Sequence, residues 1–253
     1  MQEAVRNNLE SVKNVILVLS GKGGVGKSTI STEVGLLDID LCGPSVPRML
    51  NIEEQEIHQS NAGWVPVYPY GDASLAVMSI AFLLKNKNDA IVWRGPKKTA
   101  MIGQFVQDVV WSDLDYLVID TPPGTSDEHM SIVERLSSHP ATSAVIVTTP
   151  QQVAVADVRR QLTFCKKTKV RVLGIIENMS GFKCEHCGEC TNIFSFGGGK
   201  ALAEHFDINF LGCVPLDSKF TKAIEGGRRS DEETEKSSAG EAITDIVKKI
   251  LLG

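Results

Sequence analysis

Residues 21–28, "GKGGVGKS", follow the apolar run "VILVLS" (residues 15–20) and lead into "TIST". A loop of the form G-x-x-x-x-G-K-[ST] between a strand and a helix start is built to hold phosphate, because its glycines let successive backbone N–H groups close around phosphate oxygens. No other stretch constrains the fold as much. A buried strand ending in such a loop belongs to an open, mostly parallel α/β sheet, which receives its ligands at the carboxyl ends of the strands. Gly21, Gly23, Gly24, Val25, Gly26, Lys27, Ser28 and Thr29 are the predicted cradle. Lys27 supplies charge to the terminal phosphates of a nucleotide, and Ser28 offers a hydroxyl to Mg²⁺.

The same stretch poses a length problem. The next apolar run, "VGLLDID", starts at Val34, and from Gly21 to Val34 the chain has only 14 residues. Eight of these form the loop, leaving Thr29 to Val34 for the return. As helix they cover about 9 Å, whereas a five-to-six-residue strand is about 17–20 Å long. Only an extended segment at up to about 3.6 Å per residue can reach the start of a full parallel strand.

Further Val-, Ile- and Leu-rich runs follow at residues 75–83, 114–120, 143–150, 171–179 and 210–216. They lack polar alternation, as strands covered on both faces do. Between them, residues 96–110 place Met101, Phe105 and Val109 on one helical face, and residues 153–167 do the same with Val155, Val158 and Leu162. The predicted class is therefore α/β, a doubly wound and mostly parallel sheet. With 253 residues, 42% hydrophobic and 23% charged, the chain is read as one domain over 1–253, with a cysteine-rich insertion near 180–194 and a polar loop near 225–241. The closing run "EAITDIVKKILLG" has Ile243, Ile246, Val247 and Ile250 on one face, which predicts docking onto the sheet. A net charge of −5 disfavours a nucleic-acid surface. Neither a signal peptide nor a membrane span is predicted, which gives a cytoplasmic expectation.

Acidic residues at strand ends complete the expected nucleotide site. Asp120 ends "LDYLVID" and is read as a magnesium-linked carboxylate. Asp38 and Asp40 end the run after the phosphate loop, and period 2 predicts that they point the same way, one orienting a water and the other supporting the metal shell. "WRGPKK" reads as a basic exposed turn through Arg94, Lys97 and Lys98, with no chemistry assigned.

Three of the six cysteines, Cys184, Cys187 and Cys190, form C-x-x-C-x-x-C. In a reducing compartment this spacing points to metal rather than disulfides. Three thiols with His186 could close a zinc site, while two thiols from each of two chains on a two-fold axis would make the four thiolates of a [4Fe-4S] cluster. On the residues alone both stay open. Cys42, Cys165 and Cys213 read as small buried hydrophobes.

"SGKGGVGKSTIST", "DIDLCGPSVPRML", "VWRGPKK", "LDYLVIDTPPGTSDEHM", "VTTPQQVAVADVRR", "GIIENMSGFKCEHCGEC", "FGGGKALAEHF" and "FLGCVPLD" together resemble the Mrp-type scaffold ATPases of cytosolic iron-sulfur cluster assembly, over roughly residues 11–225. Within that group the chain is most similar to the subunit that lacks an N-terminal cysteine cluster. The resemblance implies a slow P-loop ATPase with ATP and Mg²⁺, which assembles a labile [4Fe-4S] cluster across a dimer interface and passes it to cytosolic or nuclear apoproteins. The implied partner is a longer paralogue that carries the N-terminal cysteines, in a heteromer such as a heterotetramer, or a second copy of the chain itself. Lys22 matches the extra lysine of the deviant Walker A group, implying contact with the nucleotide of the other subunit. Asp40 is implied for the attacking water, Asn178 for the adenine edge, and Cys184 and Cys187 for the bridging cluster, with Cys190 outside that pair.

Members of this group carry a full crossover helix where this chain has none, so about a dozen residues are expected to be missing between Glu33 and Val34. About four apolar side chains at roughly 1.5–3 kcal/mol each would be lost from one sheet face. The chain is thus read as a shortened form, an isoform or an imperfect gene model, unless another segment such as the C-terminal run covers that face. Two other readings compete: a positioning ATPase of the deviant Walker A group, and a zinc-stapled interaction module with a vestigial phosphate loop.

Overall fold

The computed structural model describes residues 8–31, 36–41, 43–71, 74–84, 93–183, 189–226, 234 and 236–252. Its central sheet contains β1 (Val12–Ser20), β2 (Leu36–Asp38), β5 (Val77–Ser79), β6 (Leu114–Asp120), β7 (Thr142–Thr148), β8 (Arg171–Lys183) and β10 (Phe210–Leu216). The order across it is β10-β8-β7-β1-β6-β2-β5, all parallel, and the short β9 (Cys190–Thr191) adds an antiparallel pairing to β8. A separate hairpin joins β3 (His58–Ser60) to β4 (Gly63–Val65). The doubly wound α/β expectation holds.

The helices are α1 (Lys27–Ser31), α2 (Val46–Met49), α3 (Gly95–Gln107), α4 (Asp127–Leu136), α5 (Gln152–Thr168), α6 (Gly198–Phe206), α7 (Ser218–Glu225) and α8 (Ser238–Leu252). Their ends follow local chemistry. Pro96 opens α3, where a missing N–H costs nothing. Ser126 and His129 form a capping box on α4, with Asp127 and Glu128 in its positive first turn. Asp217 caps α7 through the N–H groups of Lys219 and Phe220, and its other oxygen accepts from Ala239 N of α8 at 3.3 Å. One carboxylate thus ties the last two helices together.

Strand residues alternate between two cores. Leu17, Leu19, Leu117 and Ile119 face α3, α4, α5 and α6, while Ile16, Val18, Val118 and Val145 face α2, α7 and α8. The connection from Ser31 to Leu36, on which the length problem turns, lies outside the described residues. β2 is described over Leu36–Asp38, where it pairs with β5 on one side and with the carboxyl end of β6 on the other, from Leu36↔Val118 to Asp38↔Asp120.

Several expectations are corrected. The run at residues 75–83 is strand only to Ser79 and then a 3₁₀ turn over Ile80–Leu83, started by Ser79 accepting from Ala81 N. Helix α8 begins at Ser238, inside the segment read as polar loop, because Asp217 and Ser237 supply its cap bonds. In "WRGPKK" Arg94 and Lys97 are exposed as read, but the segment is a helix start rather than a turn. Gly95 to Lys98 form the first turn of α3, Lys97 lies over the Trp93 ring at 4.2 Å, and Lys98 makes a largely buried ion pair with Glu128 at 2.8 Å. Cys165 is buried as predicted, but Cys213 is exposed; Cys42 lies outside the described residues.

Candidate nucleotide and cluster site

At the carboxyl end of β1 the phosphate loop lines a cavity of about 280 Å³, with Lys22 to Thr29 on one side and Asp40, Gly43, Ser45, Met49 and Pro123 around it. Gly24 and Gly26 have φ of +74° and +80°, a region that favours glycine. A side chain at Gly26 would also run into the Asn178 amide. Gly21 is not in the lining. Its missing Cβ lets α5 approach through Asp157, so it is a packing glycine.

Lys27 Nζ lies 2.7 Å from Asp120 Oδ1, and both side chains are buried. Ser28 Oγ donates to Asp120 Oδ2. The loop cation, the loop hydroxyl and the carboxylate at the end of β6 therefore meet at one point. A hydroxyl and a carboxylate are hard oxygen donors, so this pair fits magnesium, which would be held by Ser28 and Asp120 beside the phosphates.

Asp38 and Asp40 do not act as a same-side pair. The strand ends at Asp38, so period 2 stops there. Asp38 is fully buried, accepts from Asp40 N and Ser79 Oγ at 3.0 Å each, and stays out of the cavity that Asp40 lines. Burial, reinforced by the nearby Asp120, pushes its carboxyl well above the usual carboxylate range. Asp38 holds the turn, and Asp40 is the carboxylate presented to the site.

Lys22 also lines the cavity, with Nζ 3.3 Å from Gln151 Oε1 at the start of α5. Asn178, near the end of the buried part of β8, donates from Nδ2 to Val25 O at 2.9 Å, so its amide grips the phosphate loop. Three further residues escaped sequence reasoning. Gln161, buried on α5, donates to Ser20 O at 3.0 Å and Gly124 O at 2.6 Å, joining the loop after β6 to the end of β1. Glu177 is fully buried and accepts from Gly197 N, Gly199 N and Ser180 Oγ, fixing the start of α6. His129 is buried in the capping box with Nε2 unpaired, and burial first, then Lys27, lowers it to about 4. Nothing in local periodicity marks these; a polar residue within an otherwise apolar strand or helix pattern was the available signal.

Beyond Asn178, β8 leaves regular strand geometry at Met179 (φ +56°) and Gly181 (φ +84°) and runs on to Lys183. Lys183 pairs with Cys190. Cys184 and Cys187 lie outside the described residues, but the two ends of their segment are held side by side by that pairing. Cys190 is exposed, and Ile193 and Phe196 just after it are 56% and 73% exposed. Among the described residues no three metal-ligating side chains gather.

The family pattern of the NUBPL iron-transfer P-loop NTPases, within the ParA group, matches residues 11–251. The chain belongs to that family. This NUBPL-family chain is 59% identical over 257 residues to the cytosolic Fe-S cluster assembly factor NUBP2 homolog of Nematostella vectensis, covering 97% of the chain and 95% of the relative. It is 58% identical over 266 residues to the NUBP2 factor of Gallus gallus, covering 100% and 98%. Among solved structures, the nucleotide-binding protein of Archaeoglobus fulgidus in complex with ADP superposes with a TM-score of 0.77 at 36% identity, covering 93% of each chain. The fold, the phosphate loop and the nucleotide-binding class are thereby shown for this family member. Among the described residues no helix is long and apolar enough to cross a membrane.

Proposed function

We propose that this chain is an ATP-dependent scaffold that assembles a [4Fe-4S] cluster and hands it to apoproteins of the cytosol and nucleus. The observation that carries the reading is the double duty of β8. Asn178 on this strand is bonded to the phosphate loop at Val25, and five residues later Lys183 pairs with Cys190 at the base of the cysteine segment. The phosphate loop and the base of the cysteine segment are therefore both tied to one strand. The names of the relatives at 58–59% identity, cytosolic Fe-S cluster assembly factors, support the same assignment.

In this reading Cys184 and Cys187 of two chains carry the cluster as cargo, and Cys190 flanks it. Exposed Ile193 and Phe196 beside Cys190 suit a face covered by a second subunit. That subunit is a longer paralogue or a second copy, and Lys22, Lys27 and Asp40 serve slow hydrolysis. Lys27 neutralises terminal-phosphate charge, Asp40 orients the water, and Lys22 leaves Gln151 to reach the partner's nucleotide.

Anaerobic reconstitution with ferrous iron and sulfide tests the proposal, followed by iron and acid-labile sulfide analysis of the unaltered chain, Cys184→Ala and Cys187→Ala. Cluster in the unaltered chain and loss in both variants is the expected result. Zinc in place of iron and sulfide in the unaltered chain, lost in both variants, would replace the scaffold reading with the zinc-stapled module.

A further inference from the structure

Helix α5 backs the phosphate loop along its length. Where the helix starts, Gln151 Oε1 accepts from Lys22 Nζ at 3.3 Å. Further along, Asp157 packs so closely on Gly21 that a Cβ there would collide with it. Deeper still, Gln161 directs Nε2 to Ser20 O at 3.0 Å and to Gly124 O at 2.6 Å. Both partners are carbonyls, which only accept, so the amide has to turn its NH₂ toward them.

Ser20 is the last residue of β1 before the phosphate loop, and Gly124 follows Asp120 by four residues. Ser20 O also accepts from Gly124 N at 2.9 Å, and Thr121 Oγ1 donates to Val18 O at 2.8 Å. Residues 121–124 are therefore laced to β1 at both ends, and at Gly124 the second tie runs through Gln161. Between the ties, Pro123 lines the nucleotide cavity and faces Gly23, whose absent Cβ would lie 3.9 Å from Pro123 Cγ. Asp120, bonded to Lys27 and Ser28, leads directly into this stretch.

Stability does not account for an amide at this place. Gln161 is fully buried, on the face of α5 that also carries Val158, Leu162 and Cys165. Its Oε1 has no hydrogen-bond partner among the described residues. A buried acceptor left unpaired costs about as much as two ordinary hydrogen bonds return. An apolar side chain of the same length would fill the space equally well, but it would not hold Gly124.

We propose that Gln161 is a positioning residue for ATP hydrolysis: its amide sets residues 121–124 against the phosphate loop, so that Asp120 and Pro123 keep their places at the nucleotide cavity. The role rests on the ATPase reading above. Gln161→Met keeps the side-chain length and removes both donors, and Gln161→Leu is the second variant. In the full-length chain, kcat for Mg-ATP should fall about tenfold or more, while KM and the Kd for Mg-ADP stay within about twofold and Tm within about 3 °C. Hydrogen exchange of the Gly124 amide should quicken about tenfold or more, with the Ile119 amide of β6 unchanged. Unchanged kcat beside an active unaltered chain, kcat and affinity lost together, or failure of both variants to fold would overturn the role and leave the ATPase reading standing. An unaltered chain that binds Mg-ADP without turning over ATP would overturn the ATPase reading itself, and the hydrolytic role with it.

Discussion

The two faces of the sheet are built to different standards. On one, α3 to α6 bring Phe105, Ile132, Leu162 and Leu202 against Leu17, Leu19, Leu117 and Ile119, and that core runs without interruption from Leu9 to Ala203. On the other, α8 is the long helix that covers β1 and β6, and a cavity remains beneath it. Yet the phosphate loop at the top of β1 has its elements in place. A binding loop held by buried polar contacts on the well-packed side, through Gln161 and Asp120, tolerates a thin opposite face. Local site geometry and global packing are separable here.

The largest test of that contrast compares truncations. Phe105→Ala, on the filled face, should cost about 3–5 kcal/mol in urea unfolding, and Ile246→Ala, beside a void that already exists, about 2 kcal/mol. Equal costs would mean that the faces are packed alike.

Acid sensitivity is the next largest effect, and it belongs to the filled face, where His129 stacks edge-on against Phe164. Unfolded, this histidine takes a proton near 6.5; folded, not until about 4. The unfolded state therefore binds more protons between those values, so stability is full above pH 6.5 and falls as pH drops toward 4, by about 3 kcal/mol at most. Glu128, which burial raises but Lys98 and Ser126 lower further, loses stability in the same direction, and Asp38, raised by burial, acts in the opposite one. The slope difference between the unaltered chain and His129→Gln isolates the histidine. Identical slopes would remove it from the account.

Whether the thin face weakens the site is read by calorimetry with Mg-ATP. The unaltered chain should bind, and Lys27→Ala should lose about 100-fold or more, which is about 2.7 kcal/mol. Failure of the unaltered chain to bind would show that the thin face does reach the loop. The smallest expected effect is a gain. Val118→Leu, directed into the cavity, should stabilise by about 0.5–1 kcal/mol, whereas the same size increase at Ile119 on the filled face, Ile119→Phe, should destabilise.

Much of this protein was legible in its sequence because local chemistry decides it. The phosphate loop needs glycines at φ near +75° to +80° and a lysine next to a hydroxyl, and those letters allow little else. The strands at residues 114–120 and 210–216 were bounded to the residue by apolar runs, and Asp120 by its place at a strand end. Even the shortage of chain between Ser31 and Leu36 was countable.

Tertiary structure decided what no window of residues contains. Asp38 and Asp40 looked equivalent by period, but pairing of β2 with β6 stops at Asp38, burying one carboxylate and presenting the other. Asn178, Gln161 and Glu177 acquire their roles from partners far away in sequence, Val25, Ser20 and Gly197. Helix α8 packs over the face of Ile16, Val18 and Val118, because apolar surface left facing water is costly. Hydrogen-bond partners and buried area are properties of the assembled sheet, and they exist only once distant segments have met.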